Sequence, residues 1–387
     1  MNSPTPLRVV FMGTPEFSVP CLTHLLACHQ ATSPWLQLIG IITQPDRPSG
    51  RGQKLTPPPV KVLCQQAQGL GCDIPLFQPE RLSKDSVLLD WLEAQAPDVI
   101  VTIAFGQILP QRVLDIPRLG VVNVHASLLP KWRGANPIAS AILHGDTETG
   151  LTTMKTVMAV DAGEMLLTAK CPITEQDTTA SLSIKLSEMA GSLLEKTLMG
   201  LQQGRLLPIA QDKTLVTHAP KMSKEDTWIA WDTSDANTIH RNIRAYTPWP
   251  GATTLWQGKR MKLSQPILPS EPITAWFKHY HTLYPCTLLP GCLVGFGTPE
   301  DTSPKNSQVL WIATANNTIL GIRQCQMEGK TTADVSKWLQ QEGLTFKLPW
   351  LGQDLETQVL QPKEVNLQDA HPRFHTHDTL NGHTSDS

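Results

Sequence analysis

The first half of the chain alternates short apolar runs with amphipathic stretches, and this alternation restricts the fold more than any other feature. Apolar runs of this length predict buried strands, and stripes at i, i+3, i+4 and i+7 predict helices. Strands joined through helices run parallel, with right-handed crossovers. We therefore predict an α/β domain with a mostly parallel sheet. The predicted strands are 7–12, 36–43, 98–104 and 120–125, followed by a β-hairpin of 152–158 and 166–173 at one end of the sheet.

The second half of the chain has a different character. Residues 208–214 are polar and lack periodicity, which is typical of a linker. The short strand-like runs that follow are interrupted by Gly and Pro, as in a small β-barrel. We predict a first domain at 1–207 and a barrel domain at 215–361, with an insertion at about 264–306. We expect 362–387 to be a disordered tail, although its four histidines leave a metal-binding tail as the alternative.

Composition excludes several classes of protein. The 387 residues are 40% apolar and 17% charged, as in a soluble globular protein. A formal net charge of -2 argues against binding nucleic acid through overall charge, so any RNA contact needs local basic patches. The apolar runs are too short to cross a membrane, and the eight cysteines form no Cys-x-x-Cys pair. We expect a cytoplasmic protein without a metal site or a membrane partner.

Asn123 and His125 lie two residues apart at the end of a predicted strand. Residues i and i+2 of a strand project from the same face, so the amide and the imidazole can converge on one polar centre. In α/β sheets, ligands bind at this end of a strand. Two donors there suit acyl transfer, because they can hold the oxygen that becomes negative when a carbonyl is attacked. The alternative is a structural pair that only caps the strand end.

Asp161 lies in the predicted hairpin turn, two residues before Gly163. An Asp close to a glycine is most often a turn former. A carboxylate near His125 would instead stabilise the protonated imidazole and fix its orientation. Sequence distance alone leaves both interpretations open.

Residues 44–54 combine turn-forming residues with the cations Arg47, Arg51 and Lys54. Such a composition is typical of a solvated surface loop. The alternative is a loop that grips a phosphate backbone, with glycines that let it reshape on contact. A second basic cluster in the later domain is consistent with a shared polyanionic partner; it comprises Lys221, Lys224, Arg241, Arg244, Lys259, Arg260 and Lys262.

Several motifs together resemble the methionyl-tRNA formyltransferase family. They are Phe-Met-Gly-Thr-Pro-Glu-Phe at 11–17, Gln-Pro-Asp-Arg-Pro-Ser-Gly-Arg-Gly at 44–52, Phe-Gly-Gln-Ile-Leu-Pro at 105–110, the segment 123–135 that begins Asn-Val-His-Ala-Ser, Ala-Pro-Lys-Met-Ser-Lys-Glu at 219–225, and Ile-Arg-Ala-Tyr-Thr-Pro-Trp-Pro-Gly-Ala at 243–252. The centre at Asn123 and His125 is shared by all 10-formyltetrahydrofolate-dependent formyltransferases. The basic segment and the second domain single out the tRNA enzymes.

The resemblance implies a Rossmann-like catalytic domain followed by a small OB-like β-barrel. It also implies transfer of the formyl group of 10-formyltetrahydrofolate to the α-amino group of methionyl initiator tRNA, with no metal. It assigns catalysis to Asn123, His125 and Asp161. It assigns the folate contacts to Ser127, Leu128, Leu129 and Pro130. It assigns the tRNA contacts to Arg47, Arg51 and Lys54. On this interpretation we expect a monomer that binds initiator tRNA and folate.

Some features depart from the family pattern. Lys131 stands where arginine is common, and Phe105 stands where tyrosine is common, which removes a hydroxyl near the folate site. The 264–306 insertion and the tail are longer than is usual. Two alternatives remain: another formyl-folate-dependent enzyme that acts on a small amine or hydrolyses formyl-folate, and a non-enzymatic RNA-binding protein on the same fold.

Overall fold

The computed structural model describes residues 5–50, 52–283, 289–297, 309–342 and 374–375. Arg51, parts of the 264–306 insertion, and the predicted tail apart from residues 374–375 lie outside the described residues. The chain divides into two compact units. The first lies within Met1–Ala141, Asp146–Glu175 and Ser181–Lys221, and the second within Ile142–Gly145, Gln176–Ala180 and Met222–Ser387.

The first unit alternates strands and helices. Its strands are β1 Leu7–Gly13, β2 Leu36–Ile42, β3 Arg47–Ser49, β4 Lys54–Thr56, β5 Leu76–Phe77, β6 Val99–Ile103, β7 Val121–His125, β8 Arg133–Gly134, β9 Glu148–Lys155, β10 Met165–Pro172 and β11 His218–Ala219. Its helices are α1 Val19–His29, α2 Pro59–Gly69, α3 Ser86–Gln95, α4 Gln111–Asp115, α5 Pro137–Leu143 and α6 Thr179–Gln202.

A seven-stranded sheet in the order β10-β9-β7-β6-β1-β2-β5 forms the centre of this unit. Strands β1, β2, β5, β6 and β7 pair in parallel, whereas β9 and β10 join the sheet in antiparallel pairs. The predicted mostly parallel sheet with a terminal hairpin is therefore confirmed. Every residue of β6 is buried, as expected for a parallel strand covered on both faces. Because β6 and β7 are neighbours, Thr102 and Asn123 lie side by side in register.

The second unit is built on an antiparallel sheet. Its elements are α7 Ala236–Ala245, β12 Ala252–Trp256, β13 Lys259–Ile267, α8 Glu271–Leu283, β14 Leu293–Gly297, β15 Val309–Thr314, β16 Thr318–Met327, β17 Ala333–Asp334, α9 Val335–Glu342 and β18 Phe374–His375. The sheet has the order β14-β15-β16-β13-β12-β18, with β17 beside β16, and forms a half-barrel, which confirms the predicted barrel-type domain. No described helix in either unit has both the length and the apolar composition that are needed to cross a bilayer.

Helix α7 contains a buried histidine. His240 is 4% exposed, and Arg244 Nε donates a hydrogen bond to its Nδ1 at 3.3 Å. Burial, followed by the charges of Arg244 and Arg241, lowers the pKa of His240 from 6.5 to about 4. Arg244 belongs to the basic cluster predicted for a polyanion, but its side chain is buried and its Nη1 donates to the Asp177 carbonyl at 2.8 Å. Arg244 therefore stabilises the interior of this unit rather than a surface.

The second unit is expected to lose stability as the pH falls from 6.5 to about 4. In this window unfolded His240 takes up a proton and folded His240 does not, so protonation favours the unfolded state. The full loss is about 3 kcal/mol, since one pKa unit corresponds to about 1.4 kcal/mol. The measurement is urea unfolding across this pH range, with hydrogen exchange of residues 236–245 identifying the second unit.

The matched comparison for this prediction is His240→Gln, with His218→Gln as an exposed control. Carboxylates that titrate in the same pH range contribute equally to wild type and variant, so the difference between the two curves isolates His240. The His240→Gln curve should be flatter than that of wild type. Parallel curves would show that His240 does not titrate as its burial predicts.

Candidate active site

Strand β7 holds Asn123 and His125 at the carboxyl edge of the parallel sheet. Thr102 Oγ1, on the neighbouring strand β6, donates a hydrogen bond to Asn123 Oδ1 at 3.0 Å. This bond orients the amide, and none of the described residues accepts a hydrogen bond from Asn123 Nδ2. Asn123 is therefore a preorganised N–H donor at the edge of the sheet.

The imidazole of His125 has an oxygen atom near each ring nitrogen, and the one near Nε2 lies at hydrogen-bond distance. It is 6% exposed, and its Nε2 lies 2.9 Å from the Trp132 carbonyl oxygen. A carbonyl oxygen can only accept, so Nε2 carries a proton and donates it. On the other side of the ring, Nδ1 lies 3.5 Å from Asp161 Oδ2. Each ring nitrogen therefore faces an oxygen atom.

Asp161 reaches His125 from the turn between β9 and β10. Its backbone has φ +50, and the Gly134 N–H donates to its Oδ2 at 2.8 Å. The turn depends on the glycine two residues later, because a Cβ at Gly163 would lie 1.7 Å from the Lys155 carbonyl oxygen. The structure thus places the Asp161 carboxylate beside the His125 imidazole, with Asn123 two residues before His125 on the same strand.

The segment predicted to contact folate divides into two kinds of residue. Ser127 is fully buried; its Oγ donates to the Lys131 carbonyl at 2.6 Å, and its carbonyl accepts from Thr152 Oγ1 at 2.7 Å. Leu129 is also buried, and its N–H donates to Thr152 Oγ1 at 3.1 Å. Leu128 and Pro130 are partly exposed. Ser127 and Leu129 therefore shape the loop, while Leu128 and Pro130 offer surface to a ligand.

The turn that carries Asp161 also exposes apolar side chains, a feature that the sequence analysis missed. Val157, Met158 and Val160 are 45%, 56% and 69% exposed. Large apolar side chains clustered beside a polar centre are typical of a ligand surface. Their concentration next to an Asp-Ala-Gly turn is a pattern that could have been recognised in the sequence.

Three of the sequence motifs meet at the same carboxyl edge. Thr14 Oγ1 donates to the Phe105 carbonyl at 2.9 Å, and Gln44 Nε2 donates to the same oxygen at 3.2 Å. These bonds link the segments that follow β1, β2 and β6. The ring of Phe105 is 4% exposed and packs in a hydrophobic cluster. Residues of the motifs at 11–17, 44–52 and 105–110 therefore lie together at the carboxyl edge of the sheet.

The basic segment folds as a β-hairpin rather than as an irregular loop. Strands β3 and β4 pair antiparallel, and all their residues are exposed. Arg47 Nη2 lies 2.7 Å from Glu80 Oε2 in an exposed ion pair, and Lys54 is exposed on β4. Gly50 and Gly52 have φ +69 and +91, and a Cβ on either would meet nothing within 4 Å. The hairpin therefore presents Arg47 and Lys54 to solvent, and Arg51 lies outside the described residues.

The second unit has a basic cleft of about 340 Å³. Arg260 lies over the Trp228 ring at 5.6 Å, and Trp249 is 58% exposed. Lys262 donates to the Pro250 carbonyl at 2.6 Å. Cations beside accessible aromatic rings are a combination that binds phosphates and stacks on bases. The cleft lining includes Lys224, Trp228, Trp249, Arg260, Lys262, Glu225 and Glu328.

Comparison with known families gives two matches that together span most of the chain. Residues 7–198 match the formyl transferase family, and residues 221–343 match the formyl transferase C-terminal domain. A methionyl-tRNA formyltransferase from Synechococcus sp. (strain JA-3-3Ab) is 43% identical over 325 residues, covering 84% of this chain and 92% of that protein. One from Geobacter sulfurreducens is 43% identical over 266 residues, covering 68% and 80%.

Solved structures show a similar fold at low identity. HypX from Aquifex aeolicus, in complex with tetrahydrofolic acid, aligns with a TM-score of 0.54 at 16% identity, covering 90% of this chain and 50% of that chain. An N-formyltransferase from Helicobacter canadensis, in complex with folinic acid and dTDP-3-aminofucose, aligns with a TM-score of 0.55 at 14% identity, covering 83% and 99%. At this identity the likeness shows the shared fold alone.

Proposed function

The chain belongs to the formyl transferase family, and on that premise we propose that it transfers the formyl group of 10-formyltetrahydrofolate to the α-amino group of methionyl initiator tRNA. Relatives named methionyl-tRNA formyltransferases match most of the chain and support this acceptor. The observation that carries the proposal is the convergence of an oriented amide, a buried imidazole and a carboxylate at the sheet edge.

In the proposed mechanism the neutral α-amine attacks the formyl carbon, which formyl-folate supplies. A C–N bond forms, and the electron pair of the C=O bond moves to oxygen. Asn123 Nδ2 donates to this oxygen, because its Oδ1 is already held by Thr102. The imidazolium of His125 donates from Nδ1, the nitrogen that lies 3.5 Å from Asp161, beyond ordinary hydrogen-bond length. Both donors lie in place before the reaction, as oxyanion stabilisation requires.

Asp161 has two tasks in this mechanism. Its negative charge offsets the imidazolium charge of His125, and it accepts the proton that the attacking amine loses. The Gly134 N–H fixes Oδ2 of the carboxylate. When the tetrahedral intermediate collapses, the oxyanion electron pair re-forms the C=O bond, the bond to the folate nitrogen breaks, and that nitrogen takes the proton that Asp161 had accepted. None of these steps requires a metal or a covalent bond to the protein.

Residues at the sheet edge suit the flat, partly apolar body of a folate. Leu128 and Pro130 are partly exposed beside the catalytic strand, and Val157, Met158 and Val160 are exposed on the turn of Asp161. A ring that covered these side chains would remove apolar surface from water. We propose that these five residues, rather than the side chain of Ser127, contact the folate.

We propose that the β3–β4 hairpin and the basic cleft bind the phosphate backbone of the tRNA. The hairpin exposes Arg47 and Lys54, and the cleft joins cations to Trp228 and Trp249. Both features give local positive charge on a chain whose net charge is -2. We expect the protein to act as a monomer in the cytoplasm, where charged initiator tRNA is used.

The direct test incubates the purified protein with formyl-folate and methionyl-tRNA and detects the formylated aminoacyl product by mass spectrometry. Amino sugars, glycinamide ribonucleotide and water serve as competing acceptors in parallel reactions. Formylation of methionyl-tRNA in preference to these acceptors is the expected result. Transfer to a small amine or hydrolysis of formyl-folate, without tRNA formylation, would assign the chain to another formyl-folate enzyme. Tight, salt-sensitive tRNA binding without any transfer would assign it to RNA binding alone.

The double variant Arg47→Ala/Lys54→Ala is expected to raise KM for methionyl-tRNA and to leave KM for formyl-folate unchanged. Each lost phosphate contact should reduce the slope of log KM for tRNA against log salt by about 1. We expect Arg51→Ala to act in the same direction. Lys170→Ala is the control, since Lys170 is exposed in the same unit and pairs with Glu148 at 2.8 Å. Equal increases in both KM values would indicate a structural role for the hairpin.

A further inference from the structure

Gln211 joins two segments of the active site through four hydrogen bonds. Its Oε1 accepts from Arg133 Nε at 3.0 Å and from Arg133 Nη2 at 2.8 Å. Its Nε2 donates to the carbonyl oxygens of Asp161 at 2.9 Å and Gly163 at 2.7 Å. The side chain is 9% exposed, and these contacts use both N–H donors and both acceptor sites of the amide.

The two joined segments are those that hold the imidazole of His125. Arg133 lies between Trp132, whose carbonyl accepts from His125 Nε2, and Gly134, whose N–H binds Asp161 Oδ2. Asp161 is the partner of His125 Nδ1. Gln211 therefore connects the backbone of the carboxylate to the segment that orients the opposite side of the ring.

Backbone conformation gives an independent reason why these segments need an external restraint. Trp132 has φ +63 and Asp161 has φ +50, in the left-handed region that side chains rarely occupy. Residues in such conformations persist only where surrounding contacts hold them. Gln211 supplies two of these contacts to the Asp161 turn and two to the residue that follows Trp132.

We propose that Gln211 is a positioning residue for formyl transfer, which sets the separation between the Asp161 carboxylate and the His125 imidazole. The inference rests on the proposed function. Gln211 lies between the two ranges that match the family and within 208–214, which the sequence analysis interpreted as a linker. The segment thus takes part in the architecture of the active site.

Gln211→Glu is the sharpest variant, because it keeps the size of the side chain. The carboxylate still accepts from Arg133, but it loses both N–H donors and places an oxygen against two carbonyls. We expect kcat to fall by about 10²-fold, which is the loss of rate that a small misplacement of catalytic groups can cause. Both KM values should stay within about threefold of wild type, because Gln211 touches neither substrate in the proposal. Gln203→Glu, at an exposed position of the same unit, is the matched control.

A double-mutant cycle separates positioning from a general structural role. In an Asp161→Asn background, single-turnover rates should respond to Gln211→Glu far less than in wild type, because Gln211 acts through Asp161. Additive effects of the two changes would overturn the proposal. So would a kcat within about threefold of wild type, or a loss that only follows the folded fraction measured by thermal unfolding. Gln211→Ala is measured alongside; if both variants lose their cooperative unfolding transition, Gln211 is a stability residue and the proposal fails.

The wild-type reaction distinguishes this proposal from the function on which it rests. If wild type forms no formylated methionyl-tRNA, the proposed function fails. If wild type is active and Gln211→Glu is equally active, the function stands and only the role of Gln211 fails.

Discussion

Asn123→Ala is expected to lower kcat for formyl transfer by about 10²–10³-fold, the usual cost of removing one oxyanion donor. The amide is oriented by Thr102 and donates from Nδ2, so its loss removes a preorganised hydrogen bond to the developing negative charge. Ground-state binding of both substrates should change little. The thermal unfolding temperature should remain near that of wild type, because Asn123 is only partly buried at the end of β7.

Steady-state kinetics with each substrate varied in turn measure the effect of Asn123→Ala. Asn237→Ala, at an exposed position of the second unit, controls for the loss of an asparagine side chain. Near-normal kcat in Asn123→Ala would remove this residue from the mechanism. It would also support the alternative that the Asn-x-His pair only caps the strand end.

Asp161→Asn is expected to lower kcat by about 10²-fold or more, the range of general acid–base contributions. The asparagine side chain keeps an oxygen for the Gly134 N–H but carries no charge to offset the imidazolium of His125. It also cannot accept the proton of the attacking amine. The turn should be preserved, since asparagine adopts positive φ at least as readily as aspartate.

Kinetics and circular dichroism of Asp161→Asn give the rate and the check on folding. Asp73→Asn, an exposed aspartate in the same unit, is the matched control. Unchanged turnover would mean that Asp161 is only a turn former, the commonest role of an aspartate beside a glycine.

Local pattern in the sequence predicted one part of the site and left out another. The pairing of Asn123 with His125 follows from the two-residue period of a strand, so it could be predicted without a structure. Ser127 is adjacent in sequence but folds back onto the Lys131 carbonyl, and no periodic pattern indicates that. The contacts of Gln211 are to main-chain carbonyls and to one arginine, and they depend on tertiary structure.

The same distinction applies to the fold. Alternating apolar runs identified the parallel sheet, because buried strands are nearly continuous in apolar residues. The amphipathic stretches from which helices were predicted did not include α1, α4, α7 or α8. Helix α7 carried recognisable evidence, since Asp235 accepts from the Thr238 N–H at its start and Ile239 and Ile243 share a buried face. Helix α4 is only five residues long and shows no period. Strands β3 and β4 are exposed at every residue, so they show no apolar alternation.

One of the two atoms that orient the imidazole of His125 is the peptide oxygen of Trp132. Every amino acid at position 132 would supply that oxygen, so the identity of residue 132 does not indicate that the hydrogen bond exists. Alanine scanning therefore passes over it, and two chains could share this anchor while differing at that position. The chemistry of the centre therefore depends partly on the path of the main chain, which substitution of side chains does not test.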